Sequence, residues 1–196
     1  SQPVIRVLES QLNGPHALSH GYFNGDLAGL PRFTESSLRA TYPFVTVELS
    51  EPGLPIRATM EAFTPFVPGD ASASGIPGAV VRYRVTNLSD EELDVSVIGS
   101  FANATGYQGE DVFGNLKLAG EVVNQRRTGS GLSGVFFSSD LPETHETFGS
   151  MAVAAMGDDV TVRPTWVLGQ WTDNAQDFWN TLTSGGRIDE VSPDNT

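Results

Sequence analysis

Apolar and polar residues alternate along several short segments of the chain, with the period of two that is typical of a β-strand buried on one face. The alternation runs over residues 43–49 and returns over residues 56–62. Between them, Pro52 presets a negative φ and Gly53 tolerates the positive φ that a type II turn needs. The pattern therefore predicts a β-hairpin over 43–62.

A second hairpin is predicted from residues 79–86 and 93–101, which are joined by a polar turn. Only a register that places both apolar sets on one face is admissible, because a slip of one residue would turn a whole strand over. We therefore expect Tyr83 to lie opposite Val95.

A third hairpin is predicted from residues 148–156 and 160–168, which flank a short Gly-Asp-Asp loop. In this register Met156 faces Val160. Pro164 has no N–H to donate to a sheet, so its strand is expected at an edge or with a bulge.

One helix is predicted near the C-terminus. Asp173 is a suitable N-cap, and a glycine pair at 185–186 is suitable to end the helix. Apolar residues recur at helical spacing at Ala175, Phe178, Trp179 and Leu182. The helix is short, so packing of its aromatic face must stabilise it.

Together these elements predict a mainly β fold. Many strands at short spacing, one late helix and no internal repeat indicate an antiparallel, supersandwich-like β-sandwich. We expect this domain to span 1–188 and to be followed by a polar linker or tail at 189–196. The stretch 101–120, rich in glycine and asparagine, is expected to be a long irregular connection.

Composition narrows the classes of function. The 196 residues include no cysteine, so disulfides and thiolate metal sites are excluded. A formal net charge of −13 and a single lysine, Lys117, make binding to nucleic acid unfavourable. No apolar run reaches the length of a bilayer span. The absence of cysteine fits a reducing compartment, so we expect a cytoplasmic location. The glycosylation sequons at Asn87 and Asn103 would matter only in a glycosylating secretory pathway.

Candidate catalytic and metal-ligating residues are few. His16 and His20 stand four apart, but flanking glycine and proline favour a loop and no third ligand is identifiable, so we predict no metal site. No serine elbow or phosphate loop is present, and no cofactor is predicted. A glycosidase needs only two catalytic carboxylates, and they can be far apart in the sequence. The spacing of the acidic residues along this chain therefore does not identify such a pair. Glu61 should project from the polar face of its strand, to pair with an arginine such as Arg57 or Arg82.

Aromatic residues give the clearest signal for binding. Trp166, Trp171 and Trp179 lie close together in the sequence, beside Phe178. Flat aromatic faces can stack on sugar rings, and the same residues can cap a core or dock another domain. All three interpretations are open at this point.

The strand that ends the first hairpin runs into a segment rich in proline and phenylalanine. Pro65 and Pro68 remove two ladder donors and are expected to end the strand. Phe63 and Phe66 are expected to hold the exit segment by burial, at roughly 1.5–3 kcal/mol each if fully enclosed.

Several of these motifs belong together as a family pattern. They are Tyr42-Pro43, Glu61-Ala62-Phe63, Pro65-Phe66, Pro68 and Asn87, followed by the segments GSMAVAAMGDDVTVRPTW and DNAQDFWNTLTSGGRI. Over about 38–188 the chain resembles the amino-terminal domain of glycoside hydrolase family 116, the family of β-glucosidases and non-lysosomal glucosylceramidases.

The resemblance implies a two-domain retaining glycosidase. In that arrangement a β-sandwich precedes an α/α barrel that carries a nucleophilic Glu and an acid/base Asp. No position of this chain matches either catalytic motif, so no catalytic residue is assigned. The family's glycine-rich entry and first strands are expected before Ser1, and the chain is therefore predicted to be an internal piece of a larger protein, or a trimmed or divergent relative.

The implied function is that of a non-catalytic domain. The chain would support the downstream α/α-barrel catalytic domain through the surface near Trp171, Phe178 and Trp179, and a β-glycoside would be the substrate of the parent enzyme. The chain alone is expected not to hydrolyse glycosides. The alternative is a stand-alone carbohydrate-binding or self-associating β-sandwich module. Without a partner domain, the aromatic surface is expected to drive homo-oligomerisation.

Overall fold

The computed structural model describes residues 2–10, 29–112, 116–167 and 173–188, which fold into two compact units. The first unit is Ile5–Val97, and the second combines Ser1–Val4 with Ile98–Thr196. The single sandwich domain over 1–188 stays a prediction. The tail at 189–196 lies outside the described residues.

The two units have mostly β elements. Those of the first unit are β1 (Val7–Ser10), β2 (Arg32–Phe33), β3 (Glu35–Thr41), β4 (Phe44–Ser50), β5 (Ile56–Phe63), α1 (Ala71–Ser74) and β6 (Val80–Asn87). Those of the second unit are β7 (Tyr107–Glu110), β8 (Leu116–Leu118), β9 (Val122–Gly129), β10 (Leu132–Ser139), β11 (Met151–Met156) and α2 (Asp173–Gly185). The predicted mainly β fold with antiparallel sheets and a C-terminal helix is confirmed. None of the helices in the described residues is long and apolar enough to cross a membrane.

The main sheet of the first unit is antiparallel, with the strand order β3-β4-β5-β6. Its core lies at one end of one face, where Phe33, Leu49 and Ala58 are at most 2% exposed. Further apolar side chains pack around this core, namely Leu8, Val47, Leu54 and Ile56. Leu8 and Phe33 come from the parallel pair β1-β2, so this pair covers that end of the sheet.

The first predicted hairpin is confirmed. β4 and β5 pair in antiparallel register, with Val47 opposite Met60. The N–H of Leu54 donates to the carbonyl of Glu51 at 3.1 Å, and Gly53 has a φ of 88°. This is the turn that Pro-Gly at its central positions predicts.

The main sheet of the second unit has the order β9-β10-β11 and is antiparallel throughout. The core of this unit is formed by Val135 and Phe137 of β10 and by Val162, each at most 8% exposed. The hairpin β7-β8 lies within the stretch that was expected to be irregular.

The second predicted hairpin is wrong. β6 is a strand, but it pairs with β5, so that Tyr83 lies opposite Met60 and not opposite Val95. Residues 93–101 form no strand, although they are described. The polar turn after β6 is held by its own side chains, with Asn87 Nδ2 donating to the carbonyl of Glu91 at 2.6 Å.

The third predicted hairpin is also wrong. β11 pairs with the preceding strand β10, which places Met156 opposite Leu132 and not opposite Val160. No strand is present over the described residues 158–167. Alternation shows which face of a strand is buried, but it carries no information on which neighbour supplies the hydrogen bonds.

The segment after β5 ends the strand as predicted, but its phenylalanines are not enclosed. Phe63 and Phe66 remain 37% and 43% exposed. Each contacts another aromatic ring instead, Phe63 with Phe44 at 5.7 Å and Phe66 with Tyr42 at 5.0 Å between ring centroids. The expected anchoring by burial is therefore only partial, and the condition of full enclosure is not met.

Candidate functional site

Trp166 and Phe178 come together in the second unit as a parallel stack. Their ring centroids are 4.5 Å apart and their planes differ by 9°. Trp166 follows the buried Val162 in a segment without regular secondary structure, and Phe178 lies in α2. Both residues are half-buried. Each ring covers one face of the other, so those two faces are closed to a sugar ring.

The other predicted site residues lie on or before the same helix. Trp179 is half-buried and stands about 100° further round α2 than Phe178. Its carbonyl accepts a hydrogen bond from Thr183 Oγ1 at 3.0 Å. Trp171 lies outside the described residues. The structure thus joins Trp166 to Phe178, and the use of this group for interdomain docking or sugar stacking stays a prediction.

Two ion pairs attach α2 and the residue just after it to the irregular segment 159–166. Arg163 donates to Asp177 Oδ2 at 2.8 Å, with the arginine side chain only 9% exposed. Arg187, just after the helix, donates to both carboxylate oxygens of Asp159, at 3.0 and 2.6 Å. The helix therefore runs antiparallel to the segment and is attached near both of its ends.

Two carboxyl groups whose pKa is lowered, those of Asp159 and Glu51, are held in their ionised form. The hydrogen bond from Arg187 lowers the pKa of Asp159, and the one from Arg6 lowers the pKa of Glu51. The general acid of a glycosidase needs the opposite shift, a pKa raised towards neutrality. These pairs are therefore suited to hold elements together and unsuited to proton donation.

A buried polar cluster, which we call the Asn103 cluster, connects four parts of the second unit. Asn103 is 9% exposed and Thr105 is 5% exposed. The Asn103 amide nitrogen donates to Asn124 Oδ1 at 2.8 Å and to the carbonyl of Ser138 at 3.1 Å. Its Oδ1 accepts from the N–H and the hydroxyl of Thr105 at 3.0 and 2.7 Å. Asn124 in turn donates to the carbonyl of Pro164 at 3.1 Å.

The Asn103 cluster was not expected from the sequence. Its signal was present as the pattern Asn-Ala-Thr, which sequence analysis treats only as a glycosylation sequon. In the folded chain both hydrogen-bonding ends of the Asn103 side chain are occupied. The cluster therefore has a structural role, fixing the loop before β7, strands β9 and β10, and the segment that leads to Trp166.

The expected pairing of Glu61 is confirmed. Glu61 lies opposite Arg82 in the sheet, on the face away from the core, with 3.7 Å between carboxylate and guanidinium. Their side chains are 44% and 67% exposed, so the pair contributes little to stability. Within the described residues no three His, Cys, Asp or Glu side chains are grouped to hold a metal ion. His16 and His20 lie outside the described residues.

Comparison with protein families gives a match over almost the whole chain. A family model described as beta-glucosidase 2, glycosyl-hydrolase family 116 N-term, matches residues 2–196.

Proposed function

Because the chain belongs to the N-terminal domain family of glycosyl hydrolase family 116, we propose that it is the non-catalytic domain of a retaining β-glucosidase or glucosylceramidase. In this proposal it supports a separate catalytic domain, an α/α barrel that binds the β-glycoside. The family match over residues 2–196 is the observation that carries the proposal.

The geometry of the carboxylates supports a non-catalytic role. Asp159 and Asp177 each contact an arginine of the same unit, and so does Glu51 in the first unit. The partner arginine lowers the pKa of Asp159 and Glu51 through a charge-assisted hydrogen bond. A retaining mechanism needs one carboxyl group that stays protonated near neutral pH, about 5–5.5 Å from a carboxylate nucleophile. We assign both groups to the catalytic domain.

The supporting surface is assigned to α2 and its neighbours. Phe178 and Trp179 are half-buried, so part of each ring remains available to a partner domain. The Trp166 stack and the ion pairs fix the orientation of the helix that presents them. A rigid helix is a better docking element than a loop, because less entropy is lost when it binds.

The alternative, a stand-alone carbohydrate-binding module, has less support. Sugar stacking needs open ring faces, and the Trp166–Phe178 stack closes one face on each ring. We also place the protein in the cytoplasm, since the absence of cysteine fits a reducing compartment.

Two measurements test the proposal. The pure chain should not turn over an aryl β-glucoside, and turnover that is lost on replacing one carboxylate would overturn the assignment. The native protein, detected in its source extract with an antibody against this chain, should be several times larger than 20.9 kDa. A native species of the chain's own mass would contradict the proposed partner domain.

A further inference from the structure

An exposed group of aromatic residues lies at one end of the four-stranded sheet of the first unit. We define this aromatic edge as Tyr42, Phe44, Phe63, Phe66 and Val80, which are 76, 57, 37, 43 and 48% exposed. Phe44, Phe63 and Val80 lie side by side on neighbouring strands, and the ring of Tyr42 meets that of Phe66 at 71°. Tyr42 and Phe66 stand two and three residues from Phe44 and Phe63 along the chain, so both ring contacts lie at the same end of the sheet.

Three residues of the aromatic edge, Phe44, Phe63 and Val80, lie on the face of the sheet that points away from the core. Register places Phe44 and Phe63 on one face and the buried Leu49 and Ala58 on the other. Among the described residues, the core side chains of the first unit cluster with Leu49 and Ala58 on the opposite face. Singly scattered apolar residues are normal on a protein surface, but contiguous aromatic rings mark a contact surface.

The charge of this face differs sharply from that of the chain. Along β3–β6 the face carries four arginines and three glutamates, a net charge of +1, whereas the whole chain carries −13. These residues are Arg39, Arg57, Arg82, Arg84, Glu35, Glu48 and Glu61. Two copies of such an acidic chain repel each other in most orientations. When they meet through this face, two surfaces with a net charge near zero come together, so the local repulsion is small.

The row of side chains next to the aromatic edge, on the same face of the sheet, carries both positive and negative charges. The row crosses the sheet as Arg39, Thr46, Glu61 and Arg82. In a two-fold dimer the same patch meets itself, so a residue pair across the axis occurs twice. Because the row carries both charges, two-fold symmetry can bring opposite charges together. In that arrangement Arg39 of one copy faces Glu61 of the other, and the reverse pair forms on the other side of the axis.

We propose that the aromatic edge and its charged row form the contact surface of a homodimer of this chain, in which the rings of the two copies pack together. This proposal is independent of the proposed glycosidase role.

The size of the aromatic edge bounds the affinity. The exposed fractions of its four rings add up to about two aromatic side chains, or roughly 400 Å² at about 200 Å² each. A standard interface buries about 800 Å² per partner, so the charged row must supply about half of the area. The dimer should therefore be a weak, concentration-dependent one.

Sedimentation velocity of the 196-residue chain over a wide concentration range, at 0.15 M salt, tests the proposal. We expect a reversible monomer–dimer equilibrium whose Kd rises at least tenfold in the double variant Tyr42→Ser/Phe44→Ser. Phe148→Ser is the matched control, because Phe148 is 46% exposed but lies in the second unit, and it should leave the Kd unchanged. A chain that stays monomeric overturns the proposal, and so does an equal effect of the control.

Charge reversal tests the contact without disturbing the rings. Arg39→Glu and Glu61→Arg should each weaken the homodimer, because each places like charges across the axis. An equimolar mixture of the two variants should regain association, since one variant's glutamates then face the other's arginines. The same Kd for the mixture as for each variant alone would refute the two-fold contact.

Discussion

Replacement of Asn103 tests how the second unit is held together. Asn103→Ala removes an amide whose two ends make the central hydrogen bonds of the Asn103 cluster. Thr105, only 5% exposed, loses the acceptor for its N–H and hydroxyl, and the carbonyl of Ser138 loses a donor. Each buried polar group left without a partner costs about 1–3 kcal/mol. The buried N–H and hydroxyl of Thr105 alone predict a loss of roughly 2–6 kcal/mol, a large part of the about 5–15 kcal/mol typical of a domain.

The aspartate variant gives a sharper result, because its cost depends on pH. Asn103→Asp keeps the acceptor for Thr105 but turns the donor end into a carboxylate oxygen that faces two acceptors, Asn124 Oδ1 and the carbonyl of Ser138. Burial and these acceptors raise the pKa of the new carboxyl in the folded state. The folded chain then binds more protons than the unfolded chain, in which the pKa is near 3.9. Stability should therefore fall as the pH rises from about 4 to 8.

Urea unfolding is the assay, followed by tryptophan fluorescence for the second unit and by far-UV circular dichroism for both units. The three tryptophans of the chain fall within the sequence range of the second unit, which also contains Asn103. Asn87→Asp is the control, since Asn87 makes the same contact to its own sequon serine, at 2.9 Å, on an exposed turn. It should cost under about 1 kcal/mol, because water replaces an exposed hydrogen bond. Parallel pH profiles of Asn103→Asp and the wild type would refute the buried role of the Asn103 amide.

Two further substitutions address the packing of the second unit. In Gly134→Ala the new Cβ would overlap the neighbouring strand β11, so we expect the free energy of unfolding in urea to fall by about 1–3 kcal/mol or more. The control is Gly149→Ala, which has open space around its Cβ and should be near neutral. Phe178→Ala removes the ring stacked on Trp166 and should cost roughly 2 kcal/mol with a red-shifted fluorescence maximum. The exposed Asn180→Ala on the same helix is its control, and an equal red shift in that variant would contradict the role of the stack.

Local signals in the sequence predicted local structure well. Pro52 and Gly53 favour a type II turn, so the β4-β5 hairpin and its register could be predicted. α2 could be predicted because its cap, its spacing of apolar residues and its terminal glycines agree. Glu61 could be placed opposite an arginine because the period of two fixes its face.

The remaining errors concern partners that are distant in the sequence. β6 and β11 were recognised as strands, yet each pairs with the strand before it across a longer connection, and the polar turn after it closes no hairpin. The Asn103 side chain bonds directly to residues up to 35 positions away, so no local sequence pattern predicts the cluster. Phe66 was expected to be enclosed, but proline and phenylalanine content does not tell whether a corner faces a core or solvent.

The two sequons of the chain show how burial, and not sequence, decides what a motif does. Asn87 and Asn103 each accept a hydrogen bond from the N–H of the residue two positions on, at 2.9 and 3.0 Å, and each accepts a second from that residue's hydroxyl. At Asn87 the arrangement closes an exposed turn, where water competes for every bond and the motif contributes little. At Asn103 it lies beneath β9 and β10, where no water competes and the loss of one amide leaves several groups unsatisfied. The same three-residue pattern is thus dispensable in one unit and structurally essential in the other.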